Sequence, residues 1–227
     1  MKRSELNGKL CEAVEFISAM NFKLPPFAYW TPDEWACKGH DVDEIRDNML
    51  GWDITDFGSG DFEKVGLLLF TIRNGNLADG RYRKPYAEKL MIAQENQVTP
   101  FHFHWQKMED IINRGGGNLQ VQVYNATADD QFDVTPVTVS VDGRSFEVEA
   151  GAIITLTPGE SIALPPRQYH KFWGQPGFGS VLLGEVSMVN DDRSDNRFYE
   201  PAGRFPAVDE DAPPLYLLCN EYPGARS

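Results

Sequence analysis

Val137-Thr-Val-Ser-Val141, Asp142-Gly143 and Arg144-Ser-Phe-Glu-Val148 spell a β-hairpin. Valine alternates with a polar residue on the first arm, and Asp-Gly supplies the positive φ angles that a tight two-residue turn requires. On the N-terminal side, Leu119-Gln-Val-Gln-Val-Tyr124 alternates strictly and places Leu119, Val121 and Val123 on one face. On the C-terminal side, Ile153-Ile-Thr-Leu-Thr157 runs into Pro158-Gly159, and Val181 to Val189 continues the series. Further upstream, Val65 to Ile72 is a short apolar run of strand length. Short strands with turn residues between them predict a mainly β sandwich or barrel.

The first fifty residues read differently. Leu6, Leu10, Val14, Ile17 and Met20 recur at helical spacing, with Ser4 as the expected N-cap. Thr31-Pro32-Asp33-Glu34 combines a capping hydroxyl, a proline at the first helical position and two carboxylates at the positive end of a helix dipole, with Gly39 as the stop. Asp43 to Leu50 predicts another short helix. No repeat, low-complexity tract or Gly/Ser-rich linker divides the chain. One domain over 1–227 is expected, with 1–50 a helical N-terminal extension packed on the barrel and 60–190 the barrel core. The tail from Asp191 is expected to be irregular and to wrap the surface.

Composition removes several functions. With 34 acidic against 21 basic side chains, the net charge is −13 and no Lys/Arg-rich block exists, which argues against a nucleic-acid partner. Val65 to Ile72 falls far short of the roughly 20 apolar residues that span a bilayer. The N-terminus lacks the apolar stretch of a signal peptide. A soluble, cytoplasmic protein is therefore expected. The three cysteines, Cys11, Cys37 and Cys219, are widely spaced and fit a reduced compartment. Exposed edge strands commonly pair, so a homodimer is expected.

Chemistry concentrates on histidine. Of four in the chain, three fall in one arrangement: His102-Phe-His104, then Glu109, and later His170. Residues two apart on a strand share a face, so both imidazoles can reach one ion. Glu109 adds a carboxylate after a bend, and His170, after Leu164-Pro-Pro-Arg-Gln-Tyr169, would complete three nitrogens and one oxygen. That donor set suits Mn, Fe, Co, Ni or Zn and leaves positions open for water or substrate. Phe103 and Trp105 flank the ligands at the opposite parity and read first as core.

Gly116 lies seven residues beyond Glu109, and Gly159-x5-Pro165-x4-His170 follows the hairpin. Here the sequence resembles the cupin superfamily, whose motifs are G-x5-H-x-H-x(3,4)-E-x6-G and G-x5-P-x-G-x2-H-x3-N. It departs at Asn96 and Arg167, each in place of a glycine, and at Gly174 in place of the final asparagine. None of these removes a ligand; they bear on loop geometry. Leu24-Pro-Pro-Phe27-Ala with Trp35, Arg83-Lys-Pro-Tyr-Ala-Glu-Lys-Leu90, Pro100 to Gly117 and Asp191 to Phe198 are similar to the bacterial D-lyxose isomerase family over nearly the whole chain. That resemblance implies a cupin-type β-barrel, a jelly roll with an α-helical N-terminal extension. It implies a divalent metal, manganese first with Zn2+, Co2+, Fe2+ or Ni2+ as other ions, held by His102, His104, Glu109 and His170. It also implies a pentose or hexose substrate, with D-lyxose interconverted with D-xylulose and D-mannose with D-fructose.

Such an isomerisation needs a base near the reacting carbons. Glu185, a carboxylate inside the apolar run Val181 to Val189, is the first candidate, because burial of an unpaired carboxylate is costly. Its parity depends on the turn between Gly174 and Gly179, and the opposite parity makes it a surface residue. Lys89, before Leu90-Met-Ile-Ala93, is the second. Lys89, Lys107, Arg197 and the ligand Glu109 are the expected sugar contacts, against solvated alternatives for both lysines. Two other readings stay open: a cupin Fe(II) dioxygenase using the same ligands, and a non-catalytic sugar-binding cupin with a structural metal.

Overall fold

The computed structural model describes residues 1–192 and 194–226; Arg193, inside one of the stretches quoted above, lies outside the described residues. Helix α1 (Arg3–Ala19) opens the chain, followed by α2 (Pro32–Ala36) and α3 (Asp43–Asp47). Thr31 caps α2 as expected, in a reciprocal box with Glu34. Lys2, and not Ser4, is the N-cap of α1; the Ser4 hydroxyl instead donates to the Asp211 carboxylate at 2.7 Å. The last two helices are shorter than the sequence signals suggest.

Among the described residues, thirteen strands follow. They are β1 (Gly51–Thr55), β2 (Leu67–Arg73), β3 (Tyr86–Ala93), β4 (Thr99–His104), β5 (Glu109–Gly116), β6 (Leu119–Asn125) and β7 (Val137–Val141). The remainder are β8 (Arg144–Val148), β9 (Ile153–Leu156), β10 (Ser161–Leu164), β11 (Gln168–Gly174), β12 (Val181–Met188) and β13 (Asn196–Phe198). They form an eight-stranded sheet in the order β1-β2-β3-β12-β5-β10-β7-β8 and a five-stranded sheet in the order β13-β4-β11-β6-β9, with antiparallel neighbours throughout. Strands thus extend past 60–190 at both ends. Asp142 and Gly143 have φ of 50° and 75°, and Val141 faces Arg144 directly across the two-residue turn.

Two cores explain why several strands are apolar without alternation. Between the sheets, Leu67, Leu69, Met91, Ala93, Val121, Val139, Val181 and Leu183 form one cluster. The intervening residues Leu68, Phe70, Leu90, Ile92 and Leu182 point outward and pack beneath Leu6, Leu10 and Ile17 of α1. Strands buried on both faces lose the polar-out pattern. Each fully buried leucine or isoleucine on α1 contributes about 1.5–3 kcal/mol to this second layer. The C-terminal segment closes over the helix: buried Arg3 pairs with Glu210 and Glu221, both at 2.6 Å. The tail is therefore no loose wrapping. It contributes β13 to the smaller sheet and, as shown next, a side chain to the site. No helix among the described residues is long and apolar enough to cross a membrane.

Candidate active site

Strand β4 carries His102 and His104 inward, and β11 brings His170 directly opposite His102. The sharp bend after β4 returns the chain into β5, whose first residue is Glu109. Ligand-capable atoms of His102, His104, Glu109 and His170 lie within 4.8 Å of one another, and all four residues are buried.

The two departures that replace a glycine preserve backbone shape. Asn96 and Arg167, where the cupin pattern has glycine, have φ of 60° and 62°. Asparagine tolerates this left-handed region, whereas for arginine it costs roughly 1–2 kcal/mol. Arg167 is held there by its amide donating to His104 O at 2.9 Å and its guanidinium donating to Thr127 O at 2.8 Å and Asp130 at 2.9 Å.

The hydrogen bonding of the imidazoles asks for a cation. His102 Nδ1 and His170 Nδ1 lie 2.9 and 3.1 Å from the carbonyls of Pro100 and Gln168, so each ring carries its proton there and aims a lone pair from Nε2. Those two Nε2 atoms are 3.0 Å apart. Both ring nitrogens of His104 are buried and make no hydrogen bond, although Nε2 lies 3.3 Å from Glu109 Oε1, which His170 Nε2 also approaches at 3.1 Å. Burial, with His170 and His104 adding to it, drives the His102 imidazole well below its usual range, and burial lowers His104 too. Neutral imidazoles with free lone pairs around a carboxylate fit a divalent metal, the donor set of mixed N/O sites.

A second polar group adjoins the first. Glu185 projects inward from β12, in line with Val181 and Leu183. Its carboxylate accepts from Lys89 Nζ at 3.0 Å, Lys107 Nζ at 3.1 Å and Ser187 Oγ at 3.0 Å. Lys107 also reaches Glu109 Oε2 at 2.7 Å, bridging the two carboxylates. Burial opposes ionisation of Glu185, but the two ammonium groups prevail and hold its carboxyl below the usual range. Glu109 follows the same balance, with Lys107 and His104 outweighing burial. Its partner Lys107, buried but flanked by Glu109 and Glu185, is raised and stays charged.

Arg197 is not among these groups. On β13 it pairs with Phe103, on the face away from His102 and His104, whereas its neighbours Asn196 and Phe198 line the cavity. Strand parity turns it outward. The guanidinium that reaches the cavity is Arg204, which pairs with Asp192 at 2.8 Å and with buried Asp53. Asn190, Asp192 and Arg204 escaped sequence reasoning because they lie on irregular chain. Asp53, a charged residue inside buried β1, carries the same signal that marked Glu185. Apolar walls from Phe57, Leu69, Met91, Phe172 and Phe198 complete a cavity of about 80 Å3.

The D-lyxose isomerase family model matches residues 1–222. The chain belongs to that family. As a D-lyxose isomerase family member it is an enzyme of the aldose–ketose isomerase class. It is 51% identical over 223 residues to the D-lyxose/D-mannose isomerase of Serratia proteamaculans and 49% identical to that of Escherichia coli O157:H7, covering 98% of each partner and of itself. Among solved structures, the ligand-free L-ribose isomerase of Cellulomonas parahominis superposes with a TM-score of 0.59 at 17% identity, covering 92% of this chain and 98% of the other. At that identity the likeness speaks for the shared fold, a cupin-type barrel.

Proposed function

We propose that this family member interconverts D-lyxose with D-xylulose and D-mannose with D-fructose, using Glu185 as the base and Mn2+ as resident ion at His102, His104, Glu109 and His170. The observation that carries this reading is a carboxylate held ionised by two lysines in the same cavity as three convergent histidines. Aldose–ketose conversion takes a proton from C2, delivers one to C1 and moves the hydroxyl proton from O2 to O1, while the oxygens carry developing negative charge. When bound, a divalent cation supplies Lewis-acid stabilisation of that charge. Glu185 accepts the C2 proton and returns it to C1 on the same face. Lys89 and Lys107 keep Glu185 ionised between turnovers and place two positive charges beside the enediol. The apolar walls limit bulk water at the reacting carbons, while the proton held by Glu185 exchanges with solvent between transfers.

Ketose formation from D-lyxose, D-mannose and D-xylose, by EDTA-stripped protein with and without Mn2+ in deuterated water, tests this reading. Manganese-dependent xylulose and fructose with deuterium at C1 are the expected products. No ketose from any aldose with any divalent ion would overturn the isomerase reading and return the weight to an oxygenase or a binding cupin.

A further inference from the structure

A second, wider basin of about 710 Å3 lies against the metal-ligand cavity, and Asn190, Asp192 and Arg204 line both. These residues form the partition between a narrow reaction chamber and an open vestibule. They also terminate a continuous polar run that begins at the histidine cluster. Glu109 Oε2 meets Lys107 Nζ at 2.7 Å, Lys107 meets Asn190 Oδ1 at 3.1 Å, Asn190 Nδ2 donates to Asp192 Oδ1 at 2.9 Å, and Arg204 Nη2 donates to Asp192 Oδ2 at 2.8 Å. That run leads from the histidine cluster past Glu185 to Asp192 and Arg204.

The partition is built to hold position. Asn74 brackets Asn190, accepting from its amide at 3.0 Å and donating to its carbonyl at 2.9 Å. Arg204 is gripped from behind by Asp53, which is buried on β1. The chain reaches that point because Gly203 and Gly58 touch: a Cβ on Gly203 would lie 3.2 Å from both the Cα and the N of Gly58. Arg204 thus arrives as a fixed fork of donors beside a fixed acceptor.

We propose that the Asp192–Arg204 pair is the subsite for the sugar's terminal hydroxyl and sets the preference between pentose and hexose. The inference rests on the isomerase reading above and adds the specificity determinant. A hydroxyl both donates and accepts, which matches a carboxylate beside a guanidinium. The C5 hydroxyl of D-lyxose ends at the pair. D-mannose carries one more hydroxymethyl group, which must part Arg204 from Asp192 and enter the vestibule.

The test compares D-lyxose, D-mannose and 5-deoxy-D-lyxose on the manganese-loaded wild type, Asp192→Asn and Arg204→Lys. In the wild type, loss of the terminal hydroxyl lowers kcat/KM by about tenfold or more, the penalty of a hydroxyl-binding site left unpaired. In both variants that penalty shrinks, and the ratio of kcat/KM for D-lyxose over D-mannose falls about tenfold, a discrimination of the size one methylene-scale group commands. The ratio is taken within one preparation, so loss of folded protein cancels, and a purely structural role would leave it unchanged. A wild type that converts 5-deoxy-D-lyxose as well as D-lyxose overturns the proposal without any variant, as does an unchanged ratio in a folded one. A wild type inactive on both natural sugars overturns the isomerase reading itself, a result separable from the other two.

Discussion

The cavity has two poles that differ in how they are satisfied. At the histidine pole, three rings crowd around Glu109, and His104 makes no hydrogen bond, its Nε2 lying 3.3 Å from Glu109 Oε1. At the lysine pole, Glu185 accepts hydrogen bonds from three donor groups, and Lys89, Lys107, Asn190, Asp192 and Arg204 saturate one another. Buried polar groups that lack partners are costly, so one pole is incomplete without an added cation while the other is complete in the protein alone. Across both, three cations, Lys89, Lys107 and Arg204, face four carboxylates, Asp53, Glu109, Glu185 and Asp192. A divalent ion reverses that excess negative charge. The division suggests separate duties: charge stabilisation at one end, proton transfer and substrate recognition at the other.

Glu185→Gln breaks the comparison most severely. If proton transfer belongs to the lysine pole, this nearly isosteric change lowers kcat by about 10²–10⁴, the contribution of a positioned general base. Metal content, measured by atomic emission on the same sample, stays at the wild-type level because the four candidate ligands are untouched. A variant that loses the ion along with the activity would show that the two poles are one unit.

Legibility in the sequence divided along the same line. His102, His104 and Glu109 lie within one short segment, where strand parity and a single bend decide the geometry, and His170 needed one antiparallel pairing. The hairpin at Asp142-Gly143 was equally local. Glu185 was visible as a misplaced charge, but its direction was not, because α1 covers the outer face of β2, β3 and β12 and removes the alternation that would have fixed parity. Arg204 left no trace: its position depends on a close Gly58–Gly203 approach and on the clasp of the C-terminal segment to Arg3. A neighbouring arginine, Arg197, drew the expectation instead. Local patterns report on local geometry, and the lysine pole is assembled from four separate stretches, at Lys89, Lys107, Glu185 to Asp192, and Arg204.

Lys107 joins the poles, and Lys107→Met sharpens the comparison on stability. Removing one partner from a buried pair leaves uncompensated charge and costs about 3–5 kcal/mol; here it strands Glu109 beside Glu185. Denaturant unfolding of the metal-free variant is expected to show that loss. Manganese then raises the midpoint of the variant by more than that of the wild type, since the added cation replaces the missing charge. Equal stability of the two metal-free proteins would show that Lys107 is dispensable to the charge balance.

The smallest effect concerns the acid side of the lysine pole. Glu185 is held below the ordinary carboxyl value of 4.5 against the pull of burial, by Lys107 first and Lys89 next. A depressed carboxyl value in the folded state means that its stabilising contribution is complete above the unfolded value and disappears as pH falls through the folded one. The Glu185 carboxylate therefore stays ionised across the neutral and mildly acidic range. In Lys89→Met one of the two ammonium groups is gone, so the Glu185 titration moves upward in pH. A 13C-carboxyl titration, with the Glu185 signal assigned by its absence in Glu185→Gln, reads the shift without reference to turnover or to protonation of the histidines. If the signal titrates at the same pH with and without Lys89, Lys107 alone sets the charge of the base, and Lys89 is left with substrate contact as its role in the pole.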